Sequence, residues 1–295
     1  MRNKKRIWSK RVRQNLERAK QVYDNFRLYD LGSYALNRLT LKKGYHIRQS
    51  IRYGDADRHT FDLYHTENPR KNRPFLLFVH GGAWSHGDKK DYQFIADTFA
   101  KKGFDVAVIN YQLAPEFIFP TSVHDLALAL NFITEQQQQL KVCLDEIVLL
   151  GHSAGAFNIM SLLYHPQPLP LKCQQNIKAV IGLAGPYHFD YKDDPLCADA
   201  FDQSVPYAQV MPYYFVKNNA IKHFLFVAQQ DKIVHFSNAQ DLDQQLKQVG
   251  NHSEIYIVPK VGHITIVGSI SALFSRFYET KNMLLNVLDR TFPYV

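Results

Sequence analysis

Three residues in a fixed chain order carry the chemistry this sequence is equipped for: Ser153, Asp231 and His263. A serine hydroxyl is a poor nucleophile at neutral pH unless a histidine takes its proton, and that histidine needs a carboxylate to hold the right tautomer. Ser153 stands in Gly151-His152-Ser153-Ala154-Gly155, after the apolar run 147–150 and before a helix-like segment reaching residue 163. Strand, sharp turn and helix in that order hold a serine at the turn apex, with the N–H of the following residue, Ala154, facing the reacting centre. A Gly-rich turn with no chemistry would share this short pattern, so the partners decide. Asp231 comes just after the apolar run 224–228, and His263 just after 254–258. Asp241 and Asp243 fall inside a helix-like stretch, and His235 and His252 precede the last run, so they fit the order less well.

A tetrahedral intermediate also needs donors for its oxyanion. The run 75–79 ends in His80-Gly81-Gly82-Ala83-Trp84, where glycines after a strand let the backbone approach a ligand. Gly81 and Gly82 are the candidates for the second donor, opposite Ala154, and His80 is expected to orient their loop. His80, His86 and Asp88 have no further ligands at metal-binding spacing, so neither a metal nor another cofactor is expected. Trp84, Tyr187 and His188 follow strand ends and are candidates for lining the substrate pocket; aromatic residues there also serve as packing beneath loops.

These residues need a scaffold that brings distant segments to one edge. The segments 44–52 and 59–65 alternate in strand fashion around Gly54-Asp55-Ala56-Asp57, which predicts an antiparallel hairpin. The runs 75–79, 104–110, 147–150, 179–183, 224–228 and 254–258 are short and continuously apolar, separated by stretches able to hold helices. Strands buried on both faces and joined by crossovers read this way, so the expected class is α/β, a mostly parallel sheet with an antiparallel start and helices on both faces. The proline-bearing stretch 190–222 is long for a crossover, and a small lid that sets substrate size is expected there.

The chain has 295 residues, 46% of them hydrophobic, enough for one large domain, assigned here to 31–295. Its formal charge of +8 is local: residues 1–20 hold nine Lys and Arg against Glu17 alone, leaving 26 residues of each sign in the rest. A neutral body argues against nucleic-acid partners. Within 1–30 an amphipathic helix over about 7–27 is predicted from the three- and four-residue spacing of Val12, Leu16, Ala19, Tyr23 and Phe26. Packing against the domain is its preferred role; weak association with an anionic membrane surface, Trp8 at the interface, is the alternative. Three scattered cysteines suggest buried thiols, and with no apolar run long enough to span a bilayer and no signal sequence the expected location is cytoplasmic.

Taken together, HGGAW at 80–84, NYQLAPE at 110–116, GHSAG at 151–155, AGPYHFD at 184–190 and VGHITIVG at 261–268 resemble the α/β-hydrolase fold of the esterase/lipase superfamily. The resemblance covers roughly 55–290 and is nearest the branch of acetyl-xylan/feruloyl-esterase-like bacterial hydrolases and kynurenine formamidases. It differs in having Tyr111-Gln112-Leu113 where the family often has Tyr-Arg-Leu, and Ala228-Gln229-Gln230 where a glycine usually precedes the acid. The resemblance implies a serine esterase acting on a small-molecule carboxylic ester through an acyl-enzyme. An arylformamidase, and a hydrolase-like binding protein without the chemistry, are the alternatives.

Overall fold

The computed structural model describes Leu36, Asn37 and residues 43–168, 170–192 and 194–293. The amphipathic helix expected over 7–27, with the whole 1–30 segment, lies outside the described residues. Eight strands form one sheet: β1 (Tyr45–Arg52), β2 (Thr60–Thr66), β3 (Phe75–Val79), β4 (Asp105–Ile109), β5 (Ile147–His152), β6 (Ile177–Leu183), β7 (Lys222–Ala228) and β8 (Ser253–Val258). Their order is β1-β2-β4-β3-β5-β6-β7-β8. The first two pairings, β1 with β2 and β2 with β4, are antiparallel, and every later one is parallel. The hairpin and the mostly parallel sheet are thus as expected. The place of β4 between β2 and β3 is set by crossovers that apolar runs do not encode.

Five helices of eight or more residues are described: α1 (Gln93–Ala100), α2 (Thr121–Glu135), α3 (Ala154–Tyr164), α4 (Ser237–Gln248) and α5 (Thr280–Thr291). The sheet sorts its side chains by the pleat. Phe75, Leu77 and Val79 of β3 enter the core shared with α2, α3 and α4, while Leu76 and Phe78 enter the one shared with α1 and α5. All five are fully buried, which is why the run shows no polar alternation. Each such side chain contributes about 2 kcal/mol of hydrophobic stabilisation. No helix among the described residues is long and apolar enough to cross a membrane.

In the described residues of 190–222, where a lid is expected from the sequence, short turns stand at Tyr207–Gln209 and Pro212–Phe215. Tyr191, Phe201 and Met211 are buried against Trp84, Ala154 and Phe157. Ala200 O accepts from Phe119 N at 2.9 Å and Val210 O from His165 Nε2 at 2.8 Å, which ties this stretch to the segment before α2 and to the end of α3.

Three buried histidines make the fold acid-sensitive. Burial pulls the imidazole pKa of His80 and His223 down to about 4, and that of His152 to about 3. Above about pH 6.5 each is neutral in both states and its contribution is fully present; as the pH falls towards 4, only the unfolded chain takes up the proton and the contribution is lost. At pH 5 the loss is about 2 kcal/mol per histidine, a large share of a typical domain's total. Thermal melts should show a clear fall in Tm between pH 7.5 and pH 5, and a level Tm across that range would contradict this account.

Candidate active site

The parallel strands β3 and β5 to β8 deliver their following loops to one edge of the sheet, and Ser153 sits there between β5 and α3. Its backbone is at φ 52°, ψ −120°, a region L-residues rarely occupy. The surroundings enforce it: Ser153 N donates to Leu183 O at 2.8 Å, and Ser153 O accepts from Ala156 N and Phe157 N at 2.9 and 3.1 Å. Both flanking glycines are required by close approach. A Cβ on Gly151 would lie 2.5 Å from Gly155 O, and one on Gly155 would lie 2.2 Å from Val79 O. Ser153 is only 8% exposed, so its hydroxyl sits in a recess.

Residues 110 positions apart then meet. His263 Nε2 is 2.8 Å from Ser153 Oγ, and His263 Nδ1 is 2.8 Å from Asp231 Oδ2. The other carboxylate oxygen, Oδ1, accepts from Ile233 N at 2.9 Å and Val234 N at 3.0 Å. A carboxylate only accepts, so His263 Nδ1–H donates to it and Nε2 is left as the acceptor for the serine proton. Burial alone would raise the Asp231 pKa; the hydrogen bond and charge of His263 and the two amides outweigh it and hold the carboxyl below its ordinary value. The turn leading to Asp231 works without glycine. No residue from Ala228 to Asp231 has a positive φ, and Gln230 N bonds Val261 O at 2.9 Å, joining the acid loop to the histidine loop.

The Gly81-Gly82 loop lies against the serine. A Cβ on Gly81 would be 3.0 Å from Ser153 Cβ and 2.8 Å from His152 O. Gly82, at φ 127°, begins a turn closed by Ser85 N and His86 N on its carbonyl, and a Cβ there would meet His86 O at 2.1 Å. His80 Nδ1 donates to Gly81 O at 2.7 Å, and Tyr111 OH donates to His80 O at 3.0 Å, so the loop is braced from below. Among the described residues no acceptor takes the N–H of Gly82 or of Ala154. Ala154 opens α3, where the N–H groups have no partner within the helix.

The pocket candidates take up three different settings. Trp84 is 5% exposed and packs edge-on to Phe157 and Phe201. Tyr187 is 1% exposed, its ring wedged where Cβ atoms on Gly182 and Gly185 would collide with it, and it lines a small hollow together with Asp231, Val234 and His235. His188 is half-buried, bonded through Nδ1 to Asp241 Oδ2 at 2.7 Å and through Nε2 to Tyr214 OH at 2.9 Å, and stacked on Tyr213. Asp241 therefore belongs to His188, and Asp243 pairs with Lys247 at 2.8 Å.

His152 is the supporting residue that sequence reasoning passes over. Its Nε2 donates to His263 O at 2.8 Å and so anchors the histidine loop to the end of β5. The partner is 111 positions away, and nothing in the sequence marks it. Likewise Asp125 takes Gln112 N at 2.7 Å and pairs with His59 at 2.9 Å, which holds the loop containing the Tyr-Gln-Leu departure. Among the described residues no group of three or more His, Cys, Asp or Glu is arranged to hold a metal ion.

The fold has close counterparts among solved structures. Esterase B from Lactobacillus rhamnosis superposes with a TM-score of 0.74 at 18% identity, covering 95% of each chain. A bacterial heroin esterase superposes at 0.72 and 18% identity, covering 90% of each. These likenesses establish the α/β-hydrolase fold. In sequence, the chain is 30% identical to the kynurenine formamidase of Drosophila melanogaster over 149 residues, which is 50% of this chain and 48% of that protein. It is 31% identical over 150 residues to a probable isoprenylcysteine alpha-carbonyl methylesterase of Oryza sativa, covering 49% and 36%. The matched stretches thus span half or less of those relatives. A kynurenine formamidase of Salmo salar matches at 21% identity over 82% of both chains. The sequence pattern of one family matches residues 61–246, well over half of the chain and the part that holds the serine, the acid and the Gly-Gly loop, and by that match the protein belongs to the BD-FAE family.

Proposed function

We propose that the protein is a serine hydrolase that cleaves small-molecule carboxylic esters. The observation carrying this reading is the unbroken hydrogen-bonded series from Ser153 Oγ through His263 to Asp231, set beside two unpaired amides. Ser153 Oγ attacks the ester carbonyl while its proton passes to His263 Nε2, and the carbonyl electrons move onto the oxygen. The amides of Ala154 and of Gly82 or Gly81 hold that oxyanion, each donor lowering the barrier by about 3 kcal/mol. Collapse breaks the bond to the leaving alkoxide, which takes the proton from His263. Asp231 stabilises the imidazolium in the interval without taking its proton. Water then repeats the attack on the acyl-serine, with His263 again as base, and releases the acid. No step requires a metal or an organic cofactor.

A second reading keeps the same residues and changes the substrate. The kynurenine formamidases among the relatives support hydrolysis of a formyl anilide, where protonation of the leaving nitrogen by His263 matters more. A panel of p-nitrophenyl esters run beside N-formylkynurenine separates the two. Ester turnover at least about tenfold above formamide turnover in kcat/KM is expected. The reverse ratio would move the assignment to the formamidase, and turnover of neither would count against both.

A further inference from the structure

A general base works only while its ring stays aligned, and the main chain at His263 is held at few points. Ahead of it, Val261 O takes Gln230 N at 2.9 Å, and Gly262 N donates to Thr265 Oγ1 at 2.7 Å. At residue 263 itself, among the described residues, no backbone amide bonds the carbonyl; what bonds it is His152 Nε2, at 2.8 Å. A carbonyl only accepts, so the His152 proton sits on Nε2 and Nδ1 carries a lone pair. Burial draws this imidazole down to about 3, so the ring is neutral at pH 7. It therefore sets no charge against the imidazolium that forms on His263, whose ring centroid is 5.2 Å away.

His152 also reaches the other half of the site. It is the last residue of β5, in register with Leu183 of β6, and is 4% exposed. A Cβ on Gly81 would lie 3.0 Å from His152 Nδ1 and 3.0 Å from Ser153 Cβ, so the imidazole spans from the Gly-Gly loop to the histidine loop on the strand that delivers the serine. Nδ1 is buried and has no hydrogen-bond partner among the described residues. An unpaired buried nitrogen costs stability, and stability alone favours an apolar residue here. What the histidine adds is a donor at the distance of the residue 263 carbonyl.

We propose that His152 is a positioning residue of the reaction: from the fixed end of β5 its Nε2–H holds the main chain of residue 263, and so keeps His263 Nε2 on Ser153 Oγ and Nδ1 on Asp231. This role rests on the serine-hydrolase reading. His152 touches no reacting atom and moves no proton. It acts through alignment, where a displacement of about 1 Å costs about a hundredfold in rate.

The test compares His152→Gln, His152→Asn and His152→Leu in the full chain. A glutamine amide ends where Nε2 stands and can donate to the same carbonyl; an asparagine amide ends at the place of Nδ1 and falls short; leucine has no donor. Fluorophosphonate labelling of Ser153, run to completion, counts competent sites, so kcat for p-nitrophenyl acetate is expressed per labelled site. Asn and Leu should lower that kcat about tenfold to a hundredfold, and Gln should stay within about fivefold of wild type. KM should move by less than about threefold, because His263 is the base in both acylation and deacylation and both slow together. Tm and circular dichroism identify the folded variants, and His152→Asn, which keeps the polarity of the site, carries the test should His152→Leu unfold. A purely structural role would lower Tm and the number of labelled sites and leave kcat per site unchanged. That result, or a loss in Gln as deep as in Asn, would overturn the role while leaving the hydrolase standing. No turnover and no labelling in wild type would remove the reaction, and with it anything for His152 to position.

Discussion

Ser153→Ala should abolish turnover of p-nitrophenyl acetate, with kcat falling by about 10⁶, and should remove all fluorophosphonate labelling at the site. Among the described residues the group bonded to His263 Nε2 is this hydroxyl, 2.8 Å away, and an activated phenol ester needs little help to expel its leaving group, so whatever rate remains should report the proposed oxyanion donors. The change should cost little stability. Alanine keeps the backbone bonds of residue 153 to Leu183, Ala156 and Phe157 and loses a single side-chain hydrogen bond, worth about 1 kcal/mol. The strained φ of 52° persists in the variant, because glycine approach and backbone bonding, and not the hydroxyl, impose it. Turnover in Ser153→Ala within about tenfold of wild type would displace Ser153 from its role.

Asp231→Asn should lower kcat by about 10⁴ with the fold intact. The asparagine oxygen still accepts from Ile233 N and Val234 N, so the loop keeps its shape. Its amide nitrogen then faces His263 Nδ1 as a donor, which moves the ring proton to Nε2 and points it at the serine, where an acceptor is needed. Asp241→Asn is the control, since its carboxylate is taken up by His188 at 2.7 Å. An inactive Asp241→Asn beside a near-normal Asp231→Asn would reassign the acid. Circular dichroism and Tm measured on each variant separate loss of chemistry from loss of fold.

Much of this arrangement was legible in the chain because its signals are local or ordinal. The parallel strands show as continuous apolar runs because they are buried on both faces, as in β3, where all five side chains are fully buried. The serine turn is legible because only glycine fits at 151 and 155, so the geometric demand is written into two positions of a five-residue pattern. The order serine, acid, histidine follows from which loops the sheet delivers to one edge, and order survives in a sequence where distance does not. The tertiary structure alone decided what depends on partners far apart in the chain. It set β4 between β2 and β3, gave Asp241 to His188, and put His152 on the carbonyl of residue 263. It also turned Trp84 from a residue on an open loop into a ring fixed by Asn158, Phe157 and Phe201. The physical reason is common to all four. A hydrogen bond or a ring contact is satisfied by any neighbour of suitable shape and polarity, so residue type names the need, and only the packed fold names the partner.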